Sequence, residues 1–187
     1  MKPRVFIDTE TTGFDPEVHE VIEFAARKGD ETLEFKVRPQ HIETAQEEAL
    51  EVNGYTEEAW VDAVEMSEAL PQIVAFLKGT VVVGHNPGFD MGFINKAVKD
   101  SEMEDVRLPY HLIDTVALAY EHLEPCGLWS FRLHNVCKFL GITNEGEHTA
   151  MVDVERCRQV YLKLNRAGWL KRLWWRFIGP RRMRRES

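Results

Sequence analysis

An α/β fold, a mixed central β-sheet flanked by helices, is what the sequence predicts, and three features carry that expectation. Three strand-like runs fill the first 40 residues, with a Gly29-Asp30 hairpin signal between the second and third. A short all-apolar run, TVVVG at Thr80–Gly84, has the composition of a strand buried on both faces. Beyond it, segments of helical periodicity alternate with a further strand end.

Taken in order, Arg4–Asp8, Val18–Lys28 and Thr32–Arg38 read as antiparallel strands. Thr44–Val52 and Thr56–Val61 read as helical, the second opening on a threonine cap followed by acids. Ser67–Leu77 sets Leu70, Ile73, Val74 and Leu77 at helical spacing and stops at Gly79. After the TVVVG strand come a His85-Asn86-Pro87-Gly88 turn and a helix over Phe89–Val98. Leu112-Ile113-Asp114 is a strand end leading into a helix at Thr115–His122; Leu133–Leu140 is a helix closed by Gly141, and Thr149–Arg166 is the last long helix of the body.

The 187 residues, 44% hydrophobic, suit one domain with a sizeable core. No run of about 18 apolar residues suggests a membrane span, and Asp8 falls where a signal peptide would be apolar. Cys126, Cys137 and Cys157 are scattered and odd in number, which argues against a disulfide framework and for a reducing, cytoplasmic setting. The net charge of −8 is uneven: residues 168–187 hold seven of the 23 Lys and Arg but one of the 31 acids, leaving residues 1–167 at −14. A protein gripping long nucleic acid over a whole face should be basic there. An acidic body implies a local grip in which metal ions supply the positive charge.

The acids are placed for that. In FIDTETTG, Phe6–Gly13, Asp8 and Glu10 share a face if the strand runs on through Glu10. Two carboxylates so close repel unless a cation lies between them or one is protonated, and hard divalent cations prefer oxygen ligands. Asp90 follows the all-apolar strand, whose C-terminal end is where open α/β sheets place their sites, although a helix N-terminus by itself also favours an acid. Five residues advance a helix by about 140°, so His148 belongs to the preceding loop and Asp153 to the helix, between Val152 and Val154. A half-buried acid there is costly unless paired or metal-bound. Singly, each residue has an ordinary structural explanation; four acids and a histidine in three segments are more specific.

That order and spacing resembles the DEDDh 3′→5′ exonucleases, the DnaQ-like superfamily with an RNase H-like fold. Its members include the proofreading subunit of bacterial replicative polymerase, RNase T and oligoribonuclease. DTETTG at Asp8–Gly13, HNPGFD at His85–Asp90 and HTAMVD at His148–Asp153 resemble its three motifs, and Ser130–Ile142 resembles the segment before the third. Pro87 stands where alanine is more usual, and Asn53 where many proofreading members carry a histidine. The resemblance covers about residues 1–165. It implies that Asp8, Glu10, Asp90 and Asp153 bind two Mg²⁺ or Mn²⁺ ions, with His148 as general base, and that nucleoside 5′-monophosphates leave a 3′ end. Thr11, Thr12, Asn53, His85 and Asn86 are the candidate substrate contacts. DNA is the favoured substrate, with a DNA polymerase or other replication protein as partner. An RNA-directed member of the class and an inactive nucleic-acid-binding domain are the alternatives.

The resemblance implies an exonuclease domain over residues 1–166. The remainder, 167–187, reads as a basic aromatic tail. Leu170, Leu173, Trp174 and Phe177 recur at helical spacing before Gly179-Pro180 and an arginine run. Its composition fits nucleic acid, a membrane surface or a protein partner, or packing back on the body.

Overall fold

The computed structural model describes residues 2–101, 103, 105–143, 149–165, 168, 174–178 and 183. Five strands form one mixed sheet in the order β3-β2-β1-β4-β5. The strand β1 (Arg4–Thr11) pairs antiparallel with β2 (Val21–Lys28), which turns through Gly29 into antiparallel β3 (Glu31–Lys36). On its other edge β1 pairs parallel with β4 (Val81–Gly84), and β4 with β5 (Leu112–Asp114).

The first strand runs three residues past the expected end at Asp8, because its polar end still has partners on β2: Glu10 faces Glu23 and, after an irregularity, Thr11 faces Val21. The second strand starts at Val21 and not Val18, since the backbone N–H groups of Val18 and His19 turn back to the Asp15 carbonyl. A short 3₁₀ turn (Ile42–Thr44) and α1 (Glu47–Asn53) replace the expected helix over Thr44–Val52; Ala45 is extended between them, and Gly54 ends α1 at φ 64°. The helix expected over Thr56–Val61 is a series of turns. There the Trp60 indole donates to the Ile22 carbonyl at 2.8 Å, which ties the segment to β2.

The two faces of the sheet are covered separately. The helices α2 (Met66–Leu77) and α3 (Pro87–Asp100) bury Val5, Ile7, Phe24, Ala26 and Val82. The opposite face meets α6 (Ala150–Asn165), with Phe6, Ala25 and Val83 against Val154, Cys157 and Tyr161. Beyond α6, α4 (Thr115–Leu123) and α5 (Leu133–Leu140) enclose a second core with Val160 and Leu164.

Trp175 is fully buried in that second core, and Arg176 Nε donates to the Pro125 carbonyl at 3.1 Å. The tail stripe expected from the sequence therefore has a different phase. Trp174 and Phe177 are 46% and 64% exposed, because it is Trp175 that fills the space beside α4 and α5. Leu170 and Leu173 lie outside the described residues. Among the described residues, no helix is long and apolar enough to cross a membrane.

Candidate active site

Parallel pairing of β1 and β4 brings their C-terminal ends to the same edge, so Asp8 and Glu10 meet the turn that follows Gly84. Alternation settles the faces: Phe6, Asp8 and Glu10 look toward α6, while Val5, Ile7 and Thr9 look toward α2 and α3. The turn after β4 is tight. A Cβ on Gly84 would lie 2.8 Å from Pro87 Cβ, so only glycine fits there. Asn86 takes a left-handed φ of 73°, which asparagine tolerates, and Pro87 opens α3.

Asp90, in the first turn of α3, is buried and accepts a hydrogen bond from Thr9 Oγ1 at 2.8 Å. Asp153 sits in the first turn of α6 and is bridged by Arg156 Nη1 at 2.7 Å, with Arg156 itself buried. Asp8, Glu10 and Asp153 each bring a carboxylate oxygen into a cluster whose members lie within 4.8 Å of one another. Asp90 is the strongest charged neighbour of Asp8. The four acids named from the sequence are thus drawn together at one edge of the sheet. His148 lies outside the described residues.

Without a cation Asp8, Glu10 and Asp90 resist ionisation. Burial, followed by the charges of Asp90, Glu10, Asp153 and Glu23, holds Asp8 well above the ordinary aspartate range. Burial, then Asp153, Glu23 and Asp90, lifts Glu10 to about 8. Burial lifts Asp90 to about 7 against the opposing hydrogen bond from Thr9. An all-oxygen donor set of this compactness fits a hard divalent cation, whose charge replaces the protons.

The expected substrate contacts divide. The Thr11 hydroxyl donates to the Gly13 carbonyl at 2.7 Å, and the Thr12 hydroxyl accepts from the Glu20 amide at 2.9 Å, so both buried side chains shape the turn after β1. Asn53 Nδ2 donates to the Thr11 carbonyl at 2.9 Å and braces the same turn. His85 is held at both ring nitrogens: Nε2 donates to the Phe131 carbonyl at 2.8 Å, and Nδ1 lies 2.9 Å from the Thr115 hydroxyl. Burial lowers the His85 pKa, with the Phe131 bond opposing. Asn86 is the one of the five that is exposed. Three contributors were not singled out in the sequence: Thr9, Arg156 and Glu23. Glu23 did leave a signal, as an acid inside the apolar run VIEFAA of Val21–Ala26.

A family model described as Exonuclease matches residues 5–161. The chain is 33% identical over 162 residues to a PolC-type DNA polymerase III of Thermotoga maritima, covering 85% of this chain and 12% of that protein. It is 30% identical to the DNA polymerase III subunit epsilon of Aquifex aeolicus, covering 89% of this chain and 82% of that one. E. coli exonuclease I, solved with a dT13 oligonucleotide, superposes with a TM-score of 0.73 at 23% identity, over 89% of this chain and 42% of that chain. The sheet and its helices form an RNase H-like α/β fold. The matched stretch runs from the strand that carries Asp8 and Glu10 to the helix that carries Asp153, and the chain belongs to the exonuclease family.

Proposed function

We propose that this chain is a metal-dependent 3′→5′ exonuclease that releases nucleoside 5′-monophosphates from the 3′ end of DNA, in proofreading or repair. The observation that carries it is the convergence of Asp8 and Glu10 with Asp153, some 145 residues away in the chain, on one cluster within 4.8 Å. These acids and Asp90 would hold two Mg²⁺ or Mn²⁺ ions, which would supply charge stabilisation for displacement at the phosphodiester. The chain's own part is alignment. The rigid strand fixes Asp8 against Glu10, Thr9 orients Asp90, and Arg156 orients Asp153. His148 takes a proton from the attacking water as general base, since imidazole titrates near neutrality. Asn86 contacts the terminal nucleotide, while Thr11, Thr12, Asn53 and His85 shape the walls around it.

DNA is favoured over RNA because the curated relatives are DNA polymerase III proteins and the exonuclease I neighbour holds a DNA oligonucleotide. The same relatives support a DNA polymerase as partner. The test is a 5′-labelled single strand, as DNA and as RNA, incubated with Mg²⁺, Mn²⁺ or EDTA. The expected result is a ladder of 3′-shortened DNA with either metal and intact DNA in EDTA. A ladder on RNA alone would make the chain an exoribonuclease, and binding without shortening would make it an inactive binding domain. His148→Ala should lower the rate roughly 10²- to 10⁴-fold and leave Mn²⁺ affinity unchanged in calorimetry.

A further inference from the structure

The turn that delivers Asp90 to the cluster is held by an acid to which the proposed chemistry gives no part. Asn86 starts α3 with a left-handed φ of 73°, an uncommon backbone for a residue with a side chain. Its own side chain makes no capping bond to the helix. The turn is fixed from β5. Parallel pairing sets Asp114, the last residue of β5, beside Gly84, the last of β4. Asp114 Oδ1 accepts the Asn86 amide at 3.0 Å and the Val116 amide at 2.8 Å. One carboxylate oxygen therefore joins the start of α3 to the first turn of α4. Two further contacts tie the same segments: the Thr115 hydroxyl donates to the Gly84 carbonyl at 3.0 Å, and His85 Nδ1 lies 2.9 Å from that hydroxyl. A carboxylate suits the place, because both of its bonds are charge-assisted and helix N-termini favour negative charge.

We propose that Asp114 is a positioning residue for the metal centre. By holding the Asn86 amide it sets where α3 begins, and so where Asp90 stands against the strand that carries Asp8 and Glu10. Asp90 lies four residues beyond Asn86, about one helical turn, so a shift of the helix start carries the Asp90 carboxylate with it. The anchor does not move with the helix it positions, because Asp114 belongs to β5, in the same sheet as β1. Thr9 bonds the Asp90 carboxylate itself, whereas Asp114 acts one turn earlier and on the backbone. The role rests on the acidic cluster being a metal centre, as proposed above.

The test uses the full chain as wild type, Asp114→Asn, Asp114→Ser and Asp114→Ala. Asp114→Asn keeps an oxygen at the reach of Oδ1, so it can accept both amides. Asp114→Ser keeps a good cap for α4, but its hydroxyl is one bond shorter and leaves the Asn86 amide without its acceptor. Asp114→Ala loses both bonds. In calorimetric Mn²⁺ titrations, Asp114→Ser and Asp114→Ala should bind about 10-fold more weakly, the lower end of the usual cost of losing a group that orients a ligand, while Asp114→Asn stays within about threefold. In metal-free protein, hydrogen exchange at the Asn86 amide should be slow in wild type and Asp114→Asn and fast in the other two. Metal-free melting temperatures should rank differently, with Asp114→Ser above Asp114→Ala because α4 keeps its cap. Mn²⁺ affinity should thus follow protection of the Asn86 amide and not the melting temperature. Unchanged affinity in Asp114→Ala would overturn the role. So would Asp114→Ser with full affinity and fast Asn86 exchange, since the cap of α4 would then account for the loss. Asp114→Asn as weak as Asp114→Ala would mean that charge and not the hydrogen bonds matters, and would overturn it too. If Asp114→Ala does not fold, fast Asn86 exchange in wild type, or either of the outcomes named for the serine and asparagine variants, would overturn it equally. Wild type that binds no Mn²⁺ at all would instead remove the metal centre itself, an outcome separate from any difference among the variants.

Discussion

The two faces of β1 set opposite demands on one strand. Toward α2 and α3, Val5 and Ile7 are fully buried in the larger apolar core, and Thr9 closes that row by donating to Asp90. Toward α6, Phe6 packs edge-on against Tyr161, with ring centroids 5.6 Å apart, and is followed at once by Asp8 and Glu10. One face gains free energy by leaving water; the other gathers carboxylates that burial and mutual charge keep from ionising. The comparison teaches that the apolar face gives the site its rigidity. A strand locked by Val5 and Ile7 cannot swing its acids apart to relieve their repulsion, so a cation is left to do so.

Removing an acid tests the repulsive face and should have the largest effect. Asp8→Ala should abolish metal-dependent hydrolysis yet raise the melting temperature of the metal-free protein, because one buried, repelled carboxylate is gone. Near-wild-type turnover in Mg²⁺ would dismantle the two-metal reading. The same face fixes a pH dependence in wild type. The raised Glu10 keeps its proton in the fold after the unfolded chain has lost it. In EDTA, stability should therefore fall as pH rises from the ordinary glutamate range, near 4.5, through about 8. Saturating Mn²⁺ should oppose that fall, since the cation replaces the proton; melts at pH 5.5 and 8 with and without metal would show it.

Ile7→Ala tests the apolar face. It should cost about 2–5 kcal/mol in denaturant unfolding, the range for truncating a fully buried aliphatic side chain. Metal-free and metal-bound protein should lose similar amounts, because the cavity opens on the side away from the acids. A loss confined to the metal-bound form would mean that the two faces are coupled through the strand.

How legible these faces were in the sequence depended on where the information lies. The sheet was legible because its strands are short apolar runs between turn signals, and Asp8, Glu10, Asp90 and Asp153 were legible because their spacing forms a family pattern. Thr56–Val61 was misread as a helix since the indole bond that holds Trp60 to β2 is a contact across 38 residues, invisible to local propensity. Trp175 was missed for a related reason: four apolar residues at helical spacing gave one stripe, but the shape of the space beside α4 and α5 chose the neighbouring residue. Register hid Glu23, because the row from Glu10 to Lys36 exists only once three strands are aligned. His85 carried a motif position that suggested a substrate contact, and the Phe131 and Thr115 partners that hold its ring come from later segments.

Thr9→Val gives the smallest effect and bears on the place where the two faces meet. The side chain keeps its shape but loses the hydroxyl that donates to the buried Asp90 at 2.8 Å. That bond opposes the effect of burial on Asp90, which sits at about 7. Without it the carboxylate takes up a proton still more readily, so the fold must hold a neutral acid or an unpaired charge. Losing one donor to a buried group should cost about 1–3 kcal/mol in the metal-free protein, less than Ile7→Ala. Thr9→Ser, which keeps the hydroxyl, should recover most of it. Metal-dependent turnover should fall only modestly, because a bound cation can hold the Asp90 carboxylate in place of the missing donor. If Thr9→Val melts with wild type, the orientation of Asp90 is set by the first turn of α3 alone, and the apolar face of β1 supports the site only through its packing.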